Sequence, residues 1–142
     1  MRGQSSMSIN PSAREIQVVH PAQRRIEASS GAMIRYEGVS QSLCGAEGIH
    51  LGLSVLPPGC RSSAHWHANC ESALYVVRGR GRFLVGGHLD KALEITVGDF
   101  LYVPPEAVHI VESAGPEPLE LVVARNAPVE IVVEASPKLR VP

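Results

Sequence analysis

The stretch GCRSSAHWHANCESALYVVRG, residues 59–79, places two histidines one residue apart and a glutamate four positions after the second. Leu, Tyr and Val dominate its C-terminal half, which predicts a strand beginning near Glu71. Side chains alternate between the two faces of a strand, so His65 and His67 are expected on the same face. Two imidazoles one pleat apart can bind a single ion, and a short turn at residues 68–70 would bring the Glu71 carboxylate toward it.

A second cluster follows in GDFLYVPPEAVHIVES, residues 98–113. The PPEA turn reverses the chain and starts a new strand, with His109 near its beginning. If the two hairpins lie side by side in one barrel, three neutral imidazoles and one carboxylate meet. The predicted metal ligands are His65, His67, Glu71 and His109.

Short apolar runs bounded by turn residues recur along the rest of the chain. The 13 glycines and 11 prolines separate runs of four to eight residues rich in Val, Ile, Leu and Tyr. Many short strands at this spacing favour a sandwich or barrel. The runs are IHLGLSVL (49–56), SALYVVR (72–78), RFLV (82–85), EITV (94–97), FLYV (100–103), VHIVES (108–113), LELVVAR (119–125) and VEIVVE (129–134). The sequence therefore predicts an all-β fold, with no amphipathic helix of ten or more residues.

Composition excludes several classes of protein. The chain has 142 residues, 44% hydrophobic and 19% charged, which is typical of one globular domain. Its net charge of −1 argues against a nucleic-acid partner. The sequence has no apolar leader and no stretch long enough to cross a membrane, and its three cysteines form no CxxC pair. These features favour reduced thiols and predict a cytoplasmic protein, although one disulfide would be compatible with the count.

The two histidine clusters together resemble the motifs of the cupin superfamily, in particular its small single-domain cupin 2 type. The first family motif runs glycine, five residues, His-x-His, three or four residues, Glu, six residues, glycine. The second runs glycine, five residues, Pro-x-Gly, two residues, His, three residues, Asn. In this chain Gly59, His65, His67, Glu71 and Gly79 correspond to the first motif, and Gly98, Pro104 and His109 correspond to the second.

Three departures from these motifs bear on the site. Seven residues separate Glu71 from Gly79 instead of six, so the family spacing measured back from the glycine falls on Ser72. We assign Glu71 as the ligand, with a one-residue bulge, because a carboxylate ligates metals better than a serine hydroxyl does. Glu106 replaces the glycine of the second motif and Ser113 its asparagine. Neither of these positions is a ligand in the family.

The resemblance implies a cupin double-stranded β-helix, or jelly-roll barrel, in a single domain. We expect an N-terminal arm over residues 1–44 whose one or two strands, including one near MIRYE at 33–37, pack outside the barrel or on a partner. The barrel is expected over 45–135 and a C-terminal tail over 136–142. Small barrels of this kind commonly pair through an arm strand, so a homodimer is expected as well.

The ligand types narrow the choice of cofactor. Three nitrogens, one oxygen and no sulfur suit one divalent transition-metal ion per chain, namely Mn, Fe, Ni, Co or Zn. No organic cofactor is predicted. Two further residues are candidates for catalysis: Glu106 near the mouth as a general base, and Tyr75, which shares the parity of Glu71. Core packing is the alternative for Tyr75.

Two classes of function follow from the resemblance. The first is a metal-dependent enzyme acting on a small molecule by Lewis-acid or O2 chemistry, a dioxygenase as the first choice among dioxygenases, decarboxylases, isomerases and lyases. The second is a non-catalytic cupin that binds or stores a small ligand.

Overall fold

The computed structural model describes residue 9 and residues 15–135. Eleven strands, the four-residue helix α1 and a 3₁₀ turn at Pro21–Gln23 form the regular structure of this part of the chain. The elements are β1 Arg25–Ser30, β2 Met33–Val39, α1 Gln41–Cys44, β3 His50–Leu56, β4 His65–His67, β5 Ser72–Arg78, β6 Arg80–Val85, β7 Lys91–Thr96, β8 Phe100–Val103, β9 Ile110–Ser113, β10 Leu119–Arg125 and β11 Val132–Glu134. The prediction of an all-β fold is confirmed.

The strands form three antiparallel sheets. The largest has six strands in the order β1-β2-β3-β10-β5-β8, the second has three in the order β7-β6-β9, and β11 pairs with β4. Since β5 lies in the first sheet and β6 in the second, the chain changes sheet at Gly79. A Cβ at that position would meet the Pro118 carbonyl oxygen at 2.2 Å, and the backbone there has φ +78°, so the turn requires glycine.

The core lies between the sheets and follows the two-residue period of the strands. In β5 the side chains of Ser72, Leu74 and Val76 are buried, whereas their neighbours are exposed. The same alternation buries the odd-numbered positions of β10 from Leu119 to Arg125. The apolar core is made of Met33, Leu56, Leu74, Val76, Phe83, Ile95, Val103, Val111, Leu119, Leu121 and Val123.

The segment before residue 45 contributes two strands to the largest sheet. β2 contains the expected strand at 33–37 and hydrogen-bonds to β3, and Met33 is part of the core. β2 is therefore part of the wall around the site, which differs from the expectation of a strand packed outside. Residues 1–8 and 10–14 of the expected arm, and the expected tail at 136–142, lie outside the described residues.

The sequence predicts no segment long enough to cross a membrane. In the described part of the chain, no helix has the length and apolar character needed to span a bilayer.

Replacing Leu56 by Ala should lower the free energy of unfolding by about 2–5 kcal/mol, because the side chain is 1% exposed and its loss leaves a cavity in the core. The matched control is Val97→Ala, at a position 58% exposed, which should change it by no more than about 0.5 kcal/mol. Urea denaturation followed by circular dichroism measures both. Equal effects of the two substitutions would contradict the assigned core.

Candidate metal centre

Three histidine side chains converge inside the fold. His65 and His67 lie on β4 and His109 lies directly before β9; each is at most 5% exposed. One nitrogen from each ring lies within 4.8 Å of the others. A pair of backbone hydrogen bonds joins His65 to His109: each N–H donates to the other's carbonyl oxygen, at 3.1 and 3.0 Å. The structure thus brings together three of the four predicted ligands.

The Nδ1 atom of each imidazole faces an oxygen acceptor. Nδ1 of His65 lies 2.8 Å from the Ser63 carbonyl oxygen, and Nδ1 of His109 lies 2.8 Å from that of Ala107. Nδ1 of His67 lies 2.5 Å from Oε2 of the buried Glu130. With a proton on each Nδ1, the Nε2 atom keeps its lone pair, which is the arrangement that metal-ligating histidines adopt.

Burial keeps these imidazoles neutral at pH 7. Desolvation lowers the pKa of His65 to about 4 and that of His109 to about 3. Desolvation also lowers the pKa of His67, with the nearby Arg125 guanidinium acting in the same direction. The Glu130 carboxylate beside His67 is also paired with Arg125 and Arg35. Neutral rings are the form that binds a metal.

The structure does not bring Glu71 to the imidazoles, and this corrects the prediction. Glu71 is exposed, and its backbone N–H donates to Asn126 Oδ1 at 3.0 Å. The next residue, Ser72, opens β5 with its side chain inward and 3% exposed. The family spacing counted back from Gly79 therefore gives the inward position correctly. The register irregularity of β5 against β10 lies between Val76 and Arg78, and from Ser72 to Val76 buried and exposed side chains alternate without a break, which leaves Glu71 outward.

The side chains of the two candidates for catalysis are exposed and do not line the pocket among the three histidines. Tyr75 shares the parity of Glu71, as expected, but that parity is outward: the ring is 36% exposed and its centroid lies 4.7 Å from that of Phe100. Glu106 is exposed in the turn before His109, where its backbone has φ +65° and its N–H donates to the His67 carbonyl oxygen. Its structural contribution is this backbone bond, which holds the turn against β4.

Sequence reasoning missed three charged residues that surround the site. Arg35 on β2 and Arg125 on β10 are 5% and 7% exposed, and both are paired with Glu130. Burial lowers the pKa of both guanidiniums, that of Arg125 to about 10, and both remain charged at pH 7. The strand parity could have indicated both arginines, since Arg35 is two residues from the buried Met33 and Arg125 is two residues from the buried Val123, on the same face of their strands.

A second group with metal-binding side chains lies on strands β1, β2 and β3 of the six-stranded sheet. Glu27, Glu37 and His50 each place a ligand atom within 4.8 Å of the others, and Glu27 Oε2 lies 2.8 Å from His50 Nε2. Glu27 also lies 3.8 Å from Arg35, which joins this group to the polar residues around the three histidines.

Two cavities meet at His109. A small polar pocket of about 20 Å³ lies among the three imidazoles and includes Arg35, Ser72 and Arg125 in its lining. A larger cavity of about 520 Å³ opens beside it and is lined mainly by apolar side chains, including Val85, Leu93, Leu101 and Val108. Phe83, Val103 and His109 line both, so the larger cavity adjoins the small pocket and contacts one of the three imidazoles, that of His109.

Comparison with known proteins identifies the class. Residues 52–125, more than half of the chain, match the family model described as the cupin domain. The chain belongs to this family, and the predicted double-stranded β-helix fold is confirmed by its structural neighbours. The polyketide cyclase RemF of Streptomyces resistomycificus superimposes with a TM-score of 0.68 at 16% identity, over 87% of this chain and 89% of that one.

Two curated proteins are similar over part of their length. An uncharacterised protein of Methanocaldococcus jannaschii is 30% identical over 78 residues, which are 55% of this chain and 60% of that protein. Oxalate decarboxylase OxdC of Bacillus subtilis is 34% identical over 77 residues, 52% of this chain but 20% of the enzyme. A structure of that enzyme concerned with its Mn(II) centres has a TM-score of 0.66 at 26% identity, covering 87% of this chain and 34% of that one. The chain thus covers less than two thirds of either curated relative.

The buried imidazoles should make folding stability depend on pH. Between pH 6.5 and about 4 the unfolded chain protonates its histidines while His65 and His109 stay neutral in the folded protein. The unfolded state then binds more protons, so the free energy of unfolding should fall as pH falls, by up to about 1.4 kcal/mol per pH unit for each histidine.

Denaturant titrations of metal-free protein between pH 7 and 5 measure this slope. His109→Gln should make it shallower, whereas above pH 7.5, where imidazoles are neutral in both states, the variant and the unsubstituted protein should have the same slope. An unchanged slope between pH 7 and 5 in His109→Gln would contradict the assigned burial.

Proposed function

We propose that this chain is a cupin enzyme that uses one divalent transition-metal ion, held by His65, His67 and His109, to act on a small molecule. The observation that carries this proposal is the convergence of three buried, neutral imidazoles, each with its Nδ1 atom within 2.8 Å of an oxygen. Such rings have one nitrogen left for an ion. Their burial would otherwise cost solvation without a partner for that nitrogen.

The donor set fits the predicted ions. It differs from the predicted donor set because the Glu71 carboxylate is not part of it. Three imidazole nitrogens suit Mn, Fe, Co, Ni or Zn, and the absence of a thiolate argues against a structural zinc site. The carboxylate expected from Glu71 is replaced by the Ser72 hydroxyl, so the protein supplies three strong donors and leaves more positions open. Manganese is the first metal to test, because the related Bacillus subtilis enzyme has Mn(II) centres.

When bound, the ion would supply Lewis-acid polarisation of an oxygen-bearing group. The residues of the chain would supply the rest. The apolar walls of the 520 Å³ cavity would exclude water and hold the body of the substrate, and Ser63, Ala107 and Glu130 would keep the imidazoles oriented. Glu106 and Tyr75 are not assigned catalytic roles, because their side chains lie outside this cavity lining.

Replacing His67 by Ala should lower the affinity for Mn(II) by at least about 100-fold, because even outer partners of metal ligands typically contribute 10–100-fold. Glu71→Gln is the control and should leave the affinity unchanged, since that side chain is exposed. Elemental analysis of purified protein and competition with a chelating dye measure both. A full equivalent of metal in His67→Ala would refute the proposed centre.

Turnover separates an enzyme from a binding protein. Metal-loaded protein is incubated with small carboxylic acids, oxalate among them, with and without O2, and products are followed by mass spectrometry. Conversion that disappears in His67→Ala supports the enzyme. Metal-dependent binding of the same compounds without conversion would favour the non-catalytic cupin instead.

We also propose that two copies of the chain pair through the outward face of the six-stranded sheet. Cross-strand register places Phe100, Tyr75, Val122, Leu53, Tyr36 and Ile26 in one row across that face. Phe100 is 80% exposed and Ile26 71%. An antiparallel sheet that faces water normally presents polar side chains, and a large apolar patch is typical of an interface.

A cytoplasmic location remains a prediction from the sequence; all three cysteines are free thiols in the structure.

Phe100→Asp should convert a dimer into a 15.2 kDa monomer, because an unpaired carboxylate is costly in an apolar interface. Ile131→Asp, a change at a 51% exposed position on another sheet edge, is the control and should stay dimeric. Light scattering after size exclusion measures both masses. A monomer before any substitution would refute the pairing.

A further inference from the structure

Two buried hydrogen-bond donors beside the imidazoles have no matching acceptor. Among the described residues, five buried side-chain atoms have no hydrogen-bond partner, and Ser72 Oγ and Arg125 Nε are two of them; the others are His50 Nδ1, His67 Nδ1 and Glu130 Oε2. The Ser72 side chain interacts with the nearby thiol of Cys70, which is a weak hydrogen-bonding group. Ser72 is 3% and Arg125 7% exposed, so water does not easily satisfy these donors from outside. Unsatisfied buried polar groups are rare and often mark a ligand position.

The two donors belong to the same small pocket. Ser72 on β5 and Arg125 on β10 are directly opposite each other in the strand register, and both line the pocket that contains the three imidazoles. Side chains opposite each other in antiparallel strands have Cβ atoms about 5 Å apart. A hydroxyl and a guanidinium N–H at this spacing can donate to the two oxygens of one carboxylate.

A bound dication would also favour an anion at this pocket. The two buried arginines, Arg35 and Arg125, are balanced by the carboxylates of Glu27 and Glu130. Because Ser72 replaces the carboxylate ligand expected from the family motif, a dication held by three neutral imidazoles would keep its full charge. A buried charge needs a counter-charge nearby, and among the described residues that line this pocket no side chain carries a negative charge.

We propose that Ser72 and Arg125 form a carboxylate-binding subsite, and that the substrate is a monocarboxylic acid whose apolar body lies in the 520 Å³ cavity. The inner pocket of about 20 Å³ has room for about one water-sized group, so only the carboxylate oxygens of the substrate would enter it. The adjoining cavity meets it at Phe83, Val103 and His109 and has apolar walls that suit an aliphatic or aromatic chain. This inference rests on the proposed function, which it extends by naming the substrate class.

The experiment measures binding of three probes, benzoate, benzamide and formate, by titration calorimetry to metal-free and Zn(II)-loaded protein. Benzoate has both a carboxylate and an apolar body, benzamide lacks the charge, and formate lacks the body. We expect benzoate to bind at least tenfold more tightly than either of the other two. Ser72→Ala should weaken benzoate about tenfold while leaving benzamide unchanged, since it removes one donor to a charged group.

Two further variants keep the test independent of folding. Ser113→Ala removes a buried hydroxyl elsewhere in the fold and should bind benzoate like the unsubstituted protein. Ser72→Glu places a carboxylate in the subsite; it should abolish benzoate binding and raise the Zn(II) affinity, which an unfolded variant cannot do.

The outcomes distinguish the two proposals. Ser72-dependent binding of benzoate by protein that takes up no metal would support the subsite and refute the metal centre. Metal uptake with equal binding of benzoate and benzamide, or with no effect of Ser72→Ala, would overturn the subsite and leave the metal centre standing.

Discussion

The reciprocal backbone hydrogen bonds between His65 and His109 are the contact on which the site depends. They join two segments separated by 43 residues of sequence, one on β4 and the other directly before β9. Because His67 lies one pleat further along β4, this single bridge brings all three imidazoles together. Ring centroids of His65 and His109 lie 4.3 Å apart, and those of His67 and His109 lie 5.4 Å apart. The strands fix these distances, so the fold itself arranges the three imidazoles.

A network of buried charges surrounds the three rings. Glu130 contacts His67 on one side and Arg35 and Arg125 on the other, and Arg35 leads on to Glu27 and His50. Charges of both signs alternate along this network, which lets the fold bury them near the site without a net excess. It holds His67 in place and leaves the Arg125 Nε–H and the Ser72 hydroxyl as donors that the protein itself does not satisfy. The same network therefore orients the His67 imidazole and supplies the polar end of the pocket.

The predictions from sequence succeeded where they relied on strong local patterns. Runs of β-branched and aromatic residues between turn residues gave the strands, and the spacing of two histidine motifs identified three residues that meet in space. The assignment of Glu71 failed for a local reason as well. A shift of one residue exchanges the two faces of a strand, so choosing Glu71 over Ser72 also turned Tyr75 inward. Chemical preference for a carboxylate ligand was weaker evidence than the distance to Gly79, where the strand must end.

The sequence by itself determined the all-β class and the pair of histidine motifs, because both are set by periodicity and turn residues close together in the chain. Tertiary structure alone decided that β2 forms part of the wall, that Arg35, Arg125 and Glu130 meet behind His67, and that an apolar cavity reaches His109. These features depend on which strands pair across long stretches of chain. Strand pairing depends on the burial of the whole sheet, and a local sequence pattern does not predict it.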